Sequence, residues 1–356
     1  MLLGLLVTTG GTPAFGADAA ALQRLDEFGD CAGCDLRGAD LAGRRLMSAD
    51  LSGADLRGAK LRKTILFRAD LTGADLREAD MENASLGRVR LADADLRGLD
   101  LHGAKLAHAD LSGADLSGSR LDGAMLEHAD LSGANLTGSS LHGALLKNAR
   151  VDGAILERSD FEGADLRTLD LRRVSSLHQA RFAKARLERA RLDGLDLESL
   201  GFDGADMPFV SLAQAVLRNA SLKGANLRKA NLRAADLTGA NLRNASLKGS
   251  NMVGATLSDA NLEMASISGN LVSVDFSNSR LDRANLSGAN LKQAVFRGAS
   301  LKRTNFTTCN LYGADFSSAD LSGAVLRRAN LAKAIFADAR LDGTDFRDAR
   351  SPPSGP

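Results

Sequence analysis

Residues 49–58 read ADLSG-ADLRG, one five-residue unit followed by its near copy. Leu51 and Leu56 are the central apolar residues of the two units. A small residue lies two positions before each of them, an acid lies one position before, and a glycine closes the unit. A period of five fits neither the helical period nor the two-residue period of a strand. The unit therefore predicts a repeat architecture, in which chain length does not count domains.

The unit extends through most of the chain. Its central apolar residue recurs every five residues from Leu36 to Leu171, from Leu177 to Ile267 and from Leu271 to Phe346, which gives 63 units. A six-residue step separates the first two runs, and a four-residue step separates the last two. The central residue and the small residue two positions before it are predicted to point inward. The other three positions are mostly polar or glycine and are predicted to point outward.

This pattern resembles the pentapeptide-repeat family, whose consensus is A-(D/N)-L-x-x, from Asp35 to Arg350. The resemblance implies an all-β solenoid, a right-handed quadrilateral β-helix with four pentapeptides, hence twenty residues, in each coil. The 63 units then make about 16 coils. The leading segment and the C-x-x-C-D-L sequence at the start of the repeats also look like those of exported members of this family.

Side chains spaced by twenty residues support this coil length independently. Four central phenylalanines are spaced in this way and should stack: Phe276, Phe296, Phe316 and Phe336. Phe161, Phe182 and Phe202 are spaced by 21 and 20, which places the extra residue of the six-residue step near residues 174–176. An outward aspartate column, Asp35, Asp55, Asp75 and Asp95, runs beside an arginine column, Arg37, Arg57, Arg77 and Arg97, that should offset its repulsion.

The repeats divide the chain into four segments. Residues 1–19, apolar and then rich in small residues, are predicted to be a signal peptide, although no Lys or Arg follows Met1. Residues 20–30 are predicted to form an amphipathic helix that caps the solenoid, with Asp18 at its start and Gly29 at its end. Residues 31–350 form the predicted β-helix, and residues 351–356 are expected to be a disordered tail.

Cys31 and Cys34 lie between the predicted helix and the first coil. A haem attachment would need a histidine at position 35, where the chain has Asp35, and a zinc site would need a second C-x-x-C. A disulfide suits an exported protein, and a reduced pair of small buried residues is the alternative. Cys309 falls at an inward position far away and is predicted to be a core residue.

Several residues break the inward pattern. Arg44 occupies a small-residue position, where an unpaired guanidinium would be costly. Either that corner opens near the cap, or Arg44 pairs with Asp26 or Glu27. Leu169, Leu195 and Leu200 also occupy small-residue positions, which predicts a locally wider coil.

The net charge of +1 hides an uneven distribution. Residues 26–171 carry 18 basic and 26 acidic side chains, a net −8, whereas residues 172–250 carry 14 and 7, a net +7. Outward aromatic and basic residues mark a candidate interaction surface: Phe67, Phe209, Lys223, Arg228, Arg243 and Lys248. Lys223 with Arg243 and Arg228 with Lys248 form basic columns, but without interleaved aromatic residues these columns do not predict a nucleic-acid groove. An unidentified protein is the expected partner, and the chain is expected to be monomeric.

Motifs of catalysis are missing from the sequence. It has no GxxxxGK[ST], no HExxH and no EF-hand loop, and its five histidines are spread along outward positions. A filled rod offers no deep pocket. We therefore predict that the chain is not an enzyme, binds no cofactor and does not span a membrane. The favoured function is an exported, periplasmic or secreted scaffold or protein-interaction rod. The alternative is a cytoplasmic DNA mimic that acts on DNA gyrase, as in one subgroup of the family.

Overall fold

The structure of the chain is a computed structural model that describes residues 18–353. It begins with one helix, α1 (Ala19–Phe28), which is followed by a β-helical solenoid. The Asp18 carboxylate accepts a hydrogen bond from the N–H of Ala20 at the start of α1. Gly29 ends the helix with a φ of 63°, a left-handed conformation that glycine adopts without steric cost. The helix bounds thus lie within two residues of the predicted range 20–30.

The predicted signal peptide, residues 1–19, lies outside the described residues except for its last two. Those two residues are the cap and the first residue of α1. Residues 354–356 of the predicted tail also lie outside the described residues. Residues 351–353 form no helix or strand.

The solenoid is a parallel ladder that links successive coils. Bridges join residues twenty apart, as in Asp35 to Asp55 and Asp55 to Asp75, so that four five-residue units separate bridged residues. The spacing is 21 across the six-residue step, at Ile155 to Ser176, and 19 across the four-residue step, at Thr256 to Asp275. The two changes of spacing therefore leave each column of units on its own side of the rod.

Among residues 18–353, two segments in one part of the ladder are long enough to form strands. These are β1 (Ser246–Asn251) and β2 (Ser266–Asn270), which pair in parallel. The irregularity in their pairing lies at the four-residue step, where Gly269 has a φ of 115°. A Cβ atom at this position would collide with the carbonyl oxygen of Ser250, so the shortened step requires glycine.

The core is a continuous column of the two inward positions of each unit, mostly leucine and alanine. The predicted phenylalanine stacks are present. Ring centroids of Phe296 lie 5.1 Å from Phe276 and 4.9 Å from Phe316, in parallel planes, and Phe306 packs edge-on at 5.6 Å. Phe182 stacks on Phe161 and Phe202 at 5.3 and 5.2 Å.

Most hydroxyl groups that replace alanine in the core bond to the backbone, whereas the buried Ser119 hydroxyl has no hydrogen-bond partner among the described residues. The hydroxyls of Ser139 and Ser159 both donate to the carbonyl oxygen of Leu136, each at 2.7 Å. The Thr64 hydroxyl donates to the carbonyl oxygen of Leu41 at 2.8 Å. The Thr64, Ser139 and Ser159 hydroxyls are tolerated in the core because each keeps a hydrogen-bond partner.

Candidate functional site

The exposed ring of Phe209 is the centre of the predicted interaction surface. It lies between two cations that belong to the preceding and following coils. Arg189 and Lys229 each place their charged group 5.1 Å from the ring centroid. Cations over an aromatic face attract its quadrupole. The three residues form one column, the Arg189–Phe209–Lys229 column, with the aromatic ring 43% exposed.

The backbone places two of the predicted basic residues beside this column. The N–H of Phe209 donates to the carbonyl oxygen of Arg228 at 2.9 Å, and the N–H of Lys229 donates to that of Lys248 at 2.9 Å. Both basic side chains are exposed. The structure therefore brings Phe209, Arg228 and Lys248 onto one side of the rod.

Lys223 and Arg243 form a second exposed pair in the preceding unit of the same coils. The N–H of Gly224 donates to the carbonyl oxygen of Arg243 at 2.9 Å, which fixes the two residues on adjacent coils. The guanidinium of Arg243 lies 3.7 Å from the Glu263 carboxylate, so its charge is partly offset. Lys223 and Arg243 thus lie one unit away from the column of Phe209 rather than beside it.

Phe67 does not join this surface, because it lies several coils away. Its ring is 38% exposed and covers Gly87 of the next coil, where an added Cβ would lie 3.3 Å from the ring. Arg68 lies 5.4 Å from the ring centroid. Phe67 therefore forms a separate aromatic patch.

Sequence reasoning missed Arg189 and Lys229, although both are exposed and contact Phe209. The signal was available, because 189, 209 and 229 are spaced by twenty residues. The predicted basic columns were built from residues one position after the central apolar residue. Phe209 and its two cations lie one position later.

The junction of helix and solenoid holds the two cysteines. Cys31 and Cys34 form a disulfide, and the buried Cys31 sulfur lies 3.2 Å from the carbonyl oxygen of Ala21 in α1. The N–H of Asp18 donates to the carbonyl oxygen of Asp35 at 3.2 Å. These contacts hold the helix against the first coil. Cys309 is buried in the core, and its burial raises the thiol pKa to about 12.

The aspartate and arginine columns form a continuous ionic ladder along one side. Arg57 bonds to both carboxylate oxygens of Asp55, at 2.8 and 2.6 Å, and lies 3.6 Å from Asp75 of the next coil. The same pattern repeats at each arginine of the column. The side-chain hydrogen bonds of Arg37 hold the pKa of Asp35 down at about 2, and Arg57 lowers the pKa of Asp55 in the same way.

A cavity of about 580 Å³ opens where the six-residue step interrupts the ladder. Its walls come from residues 174–178 of one coil and from residues 195–200 of the next. Sequence reasoning placed the extra residue here but did not predict a cavity. The widening effect of Leu195 and Leu200 was the signal for it.

Metal ligation finds no support in residues 18–353. Within that range, no group of three His, Cys, Asp or Glu side chains could hold a metal ion. His108 and His128 stack with ring centroids 4.9 Å apart. His142 lies near three carboxylates, with Nε2 3.3 Å from Asp160. Across the same described residues, no helix is long and apolar enough to cross a membrane.

A family model described as "Pentapeptide repeats" matches eight stretches that cover most of the chain: residues 30–66, 64–103, 100–138, 139–175, 202–233, 235–269, 270–307 and 309–348. A search of curated proteins gave no match.

Several solved structures are similar to this chain. One is HetL, a pentapeptide repeat protein involved in heterocyst differentiation regulation from the cyanobacterium Nostoc. It is 27% identical over 74% of this chain and 91% of that chain, with a TM-score of 0.23. A pentapeptide repeat protein of the Arabidopsis thaliana thylakoid lumen is 29% identical over 36% of this chain and 70% of its own length, with a TM-score of 0.21. Full-length QnrB1, a plasmid-mediated fluoroquinolone resistance protein, is 20% identical over 62% of this chain and 90% of its own, with a TM-score of 0.19.

Proposed function

This chain belongs to the pentapeptide repeat family, and from that membership we propose that it is a non-catalytic rod whose outward side chains bind a protein partner. The rod is a right-handed quadrilateral β-helix of about 16 coils over residues 31–350, and it acts as a monomer. Residues 20–30 cap it. Such a rod keeps its fold while its outward residues vary, which suits a scaffold.

The Arg189–Phe209–Lys229 column carries this proposal. An exposed aromatic ring between two cations, with Arg228 and Lys248 on the same side, offers both apolar contact and positive charge. Aromatic residues and arginine are enriched among the residues that dominate protein interfaces. The expected partner surface is acidic with an apolar centre.

Site-specific photo-crosslinking in the native host tests the binding surface. A photoreactive amino acid at position 209 should capture one defined protein, and K229E should abolish that capture. Met125 is an exposed apolar residue several coils away and serves as the matched control position. Identical capture patterns from positions 209 and 125, or capture that is insensitive to K229E, would argue against a partner at this column.

Export to the periplasm or the cell exterior is the second part of the proposal. It rests on the apolar residues 1–17 as a signal peptide and on the Cys31–Cys34 disulfide, because structural disulfides persist in oxidising compartments. The intact mass of untagged protein from its own host tests it. The expected result is loss of about the first 16 to 19 residues, together with a mass shift on reduction. A full-length reduced chain would place the protein in the cytoplasm.

A cytoplasmic DNA mimic that acts on gyrase is the competing function, favoured by the net −8 of residues 26–171. The ionic ladder weighs against it, because Arg37, Arg57, Arg77 and Arg97 neutralise the aspartate column along one side. A supercoiling assay with purified gyrase separates the two functions. Inhibition or protection of gyrase by stoichiometric protein would favour the mimic, and no effect would favour the scaffold.

A further inference from the structure

The open seam is defined here as the place where residues 175–179 face residues 196–198 of the next coil without the usual backbone bonds. In a regular unit, three hydrogen bonds join two such segments: Leu187 N–H to Asp206 O at 2.8 Å, Arg189 N–H to Pro208 O at 3.1 Å, and Asp206 N–H to Ala185 O at 2.9 Å. Within the part of the chain that the structure describes, none of the three corresponding bonds forms at the open seam.

Both edges of the open seam therefore carry unsatisfied backbone groups. On one coil these are the N–H groups of Leu177 and Gln179 and the carbonyl oxygen of Ser175. On the other coil they are the N–H of Asp196 and the carbonyl oxygens of Asp196 and Glu198. Backbone polar groups that lack partners require water or another strand. The seam is thus a pair of facing strand edges between two coils in the middle of the rod rather than at its end.

Leucine in the small-residue position accounts for the opening. In a regular unit, the N–H of the residue that follows the small residue donates to a carbonyl oxygen of the preceding coil, as in Asn226 N–H to Ala205 O at 2.9 Å. This bond is missing in the described chain after every leucine in that position: Leu99, Leu169, Leu195 and Leu200. The backbone N–H of Lys105, in the unit after Asp100, also lacks this bond to the preceding coil. A side chain larger than the space for alanine displaces the backbone around it.

The cavity of about 580 Å³ lies at this seam, where Leu195 coincides with the extra residue of the six-residue step. Its floor is apolar, with Val174, Leu177 and Leu195, and its rim carries Asp196 and Glu198. Arg218 lies 3.3 Å from the Glu198 carboxylate. Among the described residues, no Lys or Arg side chain pairs with Asp196. The Asp196 carboxylate is therefore available to a cationic side chain of another protein.

We propose that the open seam binds an extended segment of a partner protein, whose backbone bonds to both strand edges and whose Lys or Arg side chain pairs with Asp196. Addition of a strand to exposed edges is an established mode of peptide recognition, in which main-chain bonds give affinity and side-chain pockets give specificity. The apolar floor takes the alternate side chains of the segment. This inference deepens the proposed interaction role and rests on it.

Fluorescence anisotropy with a labelled, capped peptide, Val-Lys-Val-Thr, tests the binding. The Lys peptide should bind at least about tenfold more tightly than the same peptide with Glu in place of Lys. A peptide whose backbone nitrogens are methylated should not bind, since it cannot donate to the seam. D196N should remove the preference for Lys over Glu.

Two leucine variants provide a matched pair. L195A restores a small residue at the open seam and should abolish binding of the peptide. L169A restores a small residue in a unit that does not line this cavity, and it should leave binding of the peptide unchanged. Amide hydrogen exchange of the unmodified protein gives a readout that needs no variant. The Lys peptide should slow exchange at Leu177 and Asp196 and leave Met81 and Asp100, at a different interrupted step of the ladder, unchanged.

Equal affinity for the Lys and Glu peptides, full binding of the methylated peptide, or binding by L195A as tight as by the unmodified protein would each overturn the proposal. A free peptide is the probe in all of these measurements. Failure here therefore leaves the crosslinking test at position 209 unaffected, and the two results are distinguishable.

Discussion

Asp26 of helix α1 forms an ion pair with Arg44 of the first coil, which spans the junction between the cap and the solenoid. Arg44 occupies a position that elsewhere holds a small buried residue, yet its side chain is 33% exposed and reaches the helix. The sequence allowed two explanations, an open corner or a partner among the helix acids. Both hold, since the corner is open enough to let the guanidinium reach Asp26.

Substitution R44A should loosen the helix rather than unfold the rod. A half-exposed ion pair contributes about 0.2–1 kcal/mol, which is small against a continuous core. We expect faster amide exchange in α1 with little change in the melting temperature of the solenoid. R45A is the control, because Arg45 is exposed and forms no ion pair in the described chain. Equal exchange in R44A and the unmodified protein would show that Asp26 does not hold the helix.

Acid should weaken the ionic ladder. Hydrogen bonds from the arginines lower the pKa of Asp35, Asp55, Asp75 and Asp95 below the ordinary value. A lowered folded-state pKa means that the stabilisation is complete above pH of about 4 and is lost as the pH falls toward about 2. The melting temperature should therefore fall over that window, and the double substitution R57Q/R77Q should make the fall shallower.

The control for the ladder is R303Q, at an exposed arginine that has no ion pair among the described residues. It should leave the pH profile of the melting temperature unchanged. A profile of R57Q/R77Q that runs parallel to that of the unmodified protein would contradict the contribution of the ladder.

Loss of the Phe296 ring should destabilise the rod strongly. The ring is buried between Phe276 and Phe316 and meets the edge of Phe306, so F296A removes three ring contacts and leaves a cavity. We expect a loss of about 3–5 kcal/mol in the free energy of unfolding, measured with denaturant. F209A, at an exposed ring, should cost no more than about 1 kcal/mol. Similar losses in both variants would contradict the continuous aromatic core.

Introduction of leucine into a regular small-residue position should open the ladder there. A225L is predicted to break the bond from Asn226 N–H to Ala205 O, with a loss of about 1–3 kcal/mol from overpacking. Hydrogen exchange at Asn226 should accelerate. In A225S the hydroxyl can bond to the backbone, as that of Ser139 does, so exchange should stay slow. Unchanged exchange in A225L would refute the role assigned to Leu195.

The repeat period made much of the fold predictable. Phe276, Phe296 and Phe316 stack because a spacing of twenty residues is a property of the sequence that maps directly onto adjacent coils. The open seam was less predictable, because the sequence shows that Leu195 is large but not whether the coil widens or loses hydrogen bonds. Packing of the whole unit decides that outcome.

The candidate surface was predicted in part. The twenty-residue spacing places Arg228 beside Lys248, but it does not show which outward side chains touch. The contact of Lys229 with Phe209 depends on the direction that each side chain takes from the turn, which the period alone does not fix.

Every bridge of the ladder joins residues 19 to 21 positions apart, and this bears on how the chain reaches its folded state. Contacts that are close in sequence relative to chain length favour rapid folding, because little loop entropy is lost before each contact forms. Each new coil needs only the coil already formed as a template. The chain can therefore fold in order from α1 onward, one coil at a time, while the rest is still being synthesised or delivered.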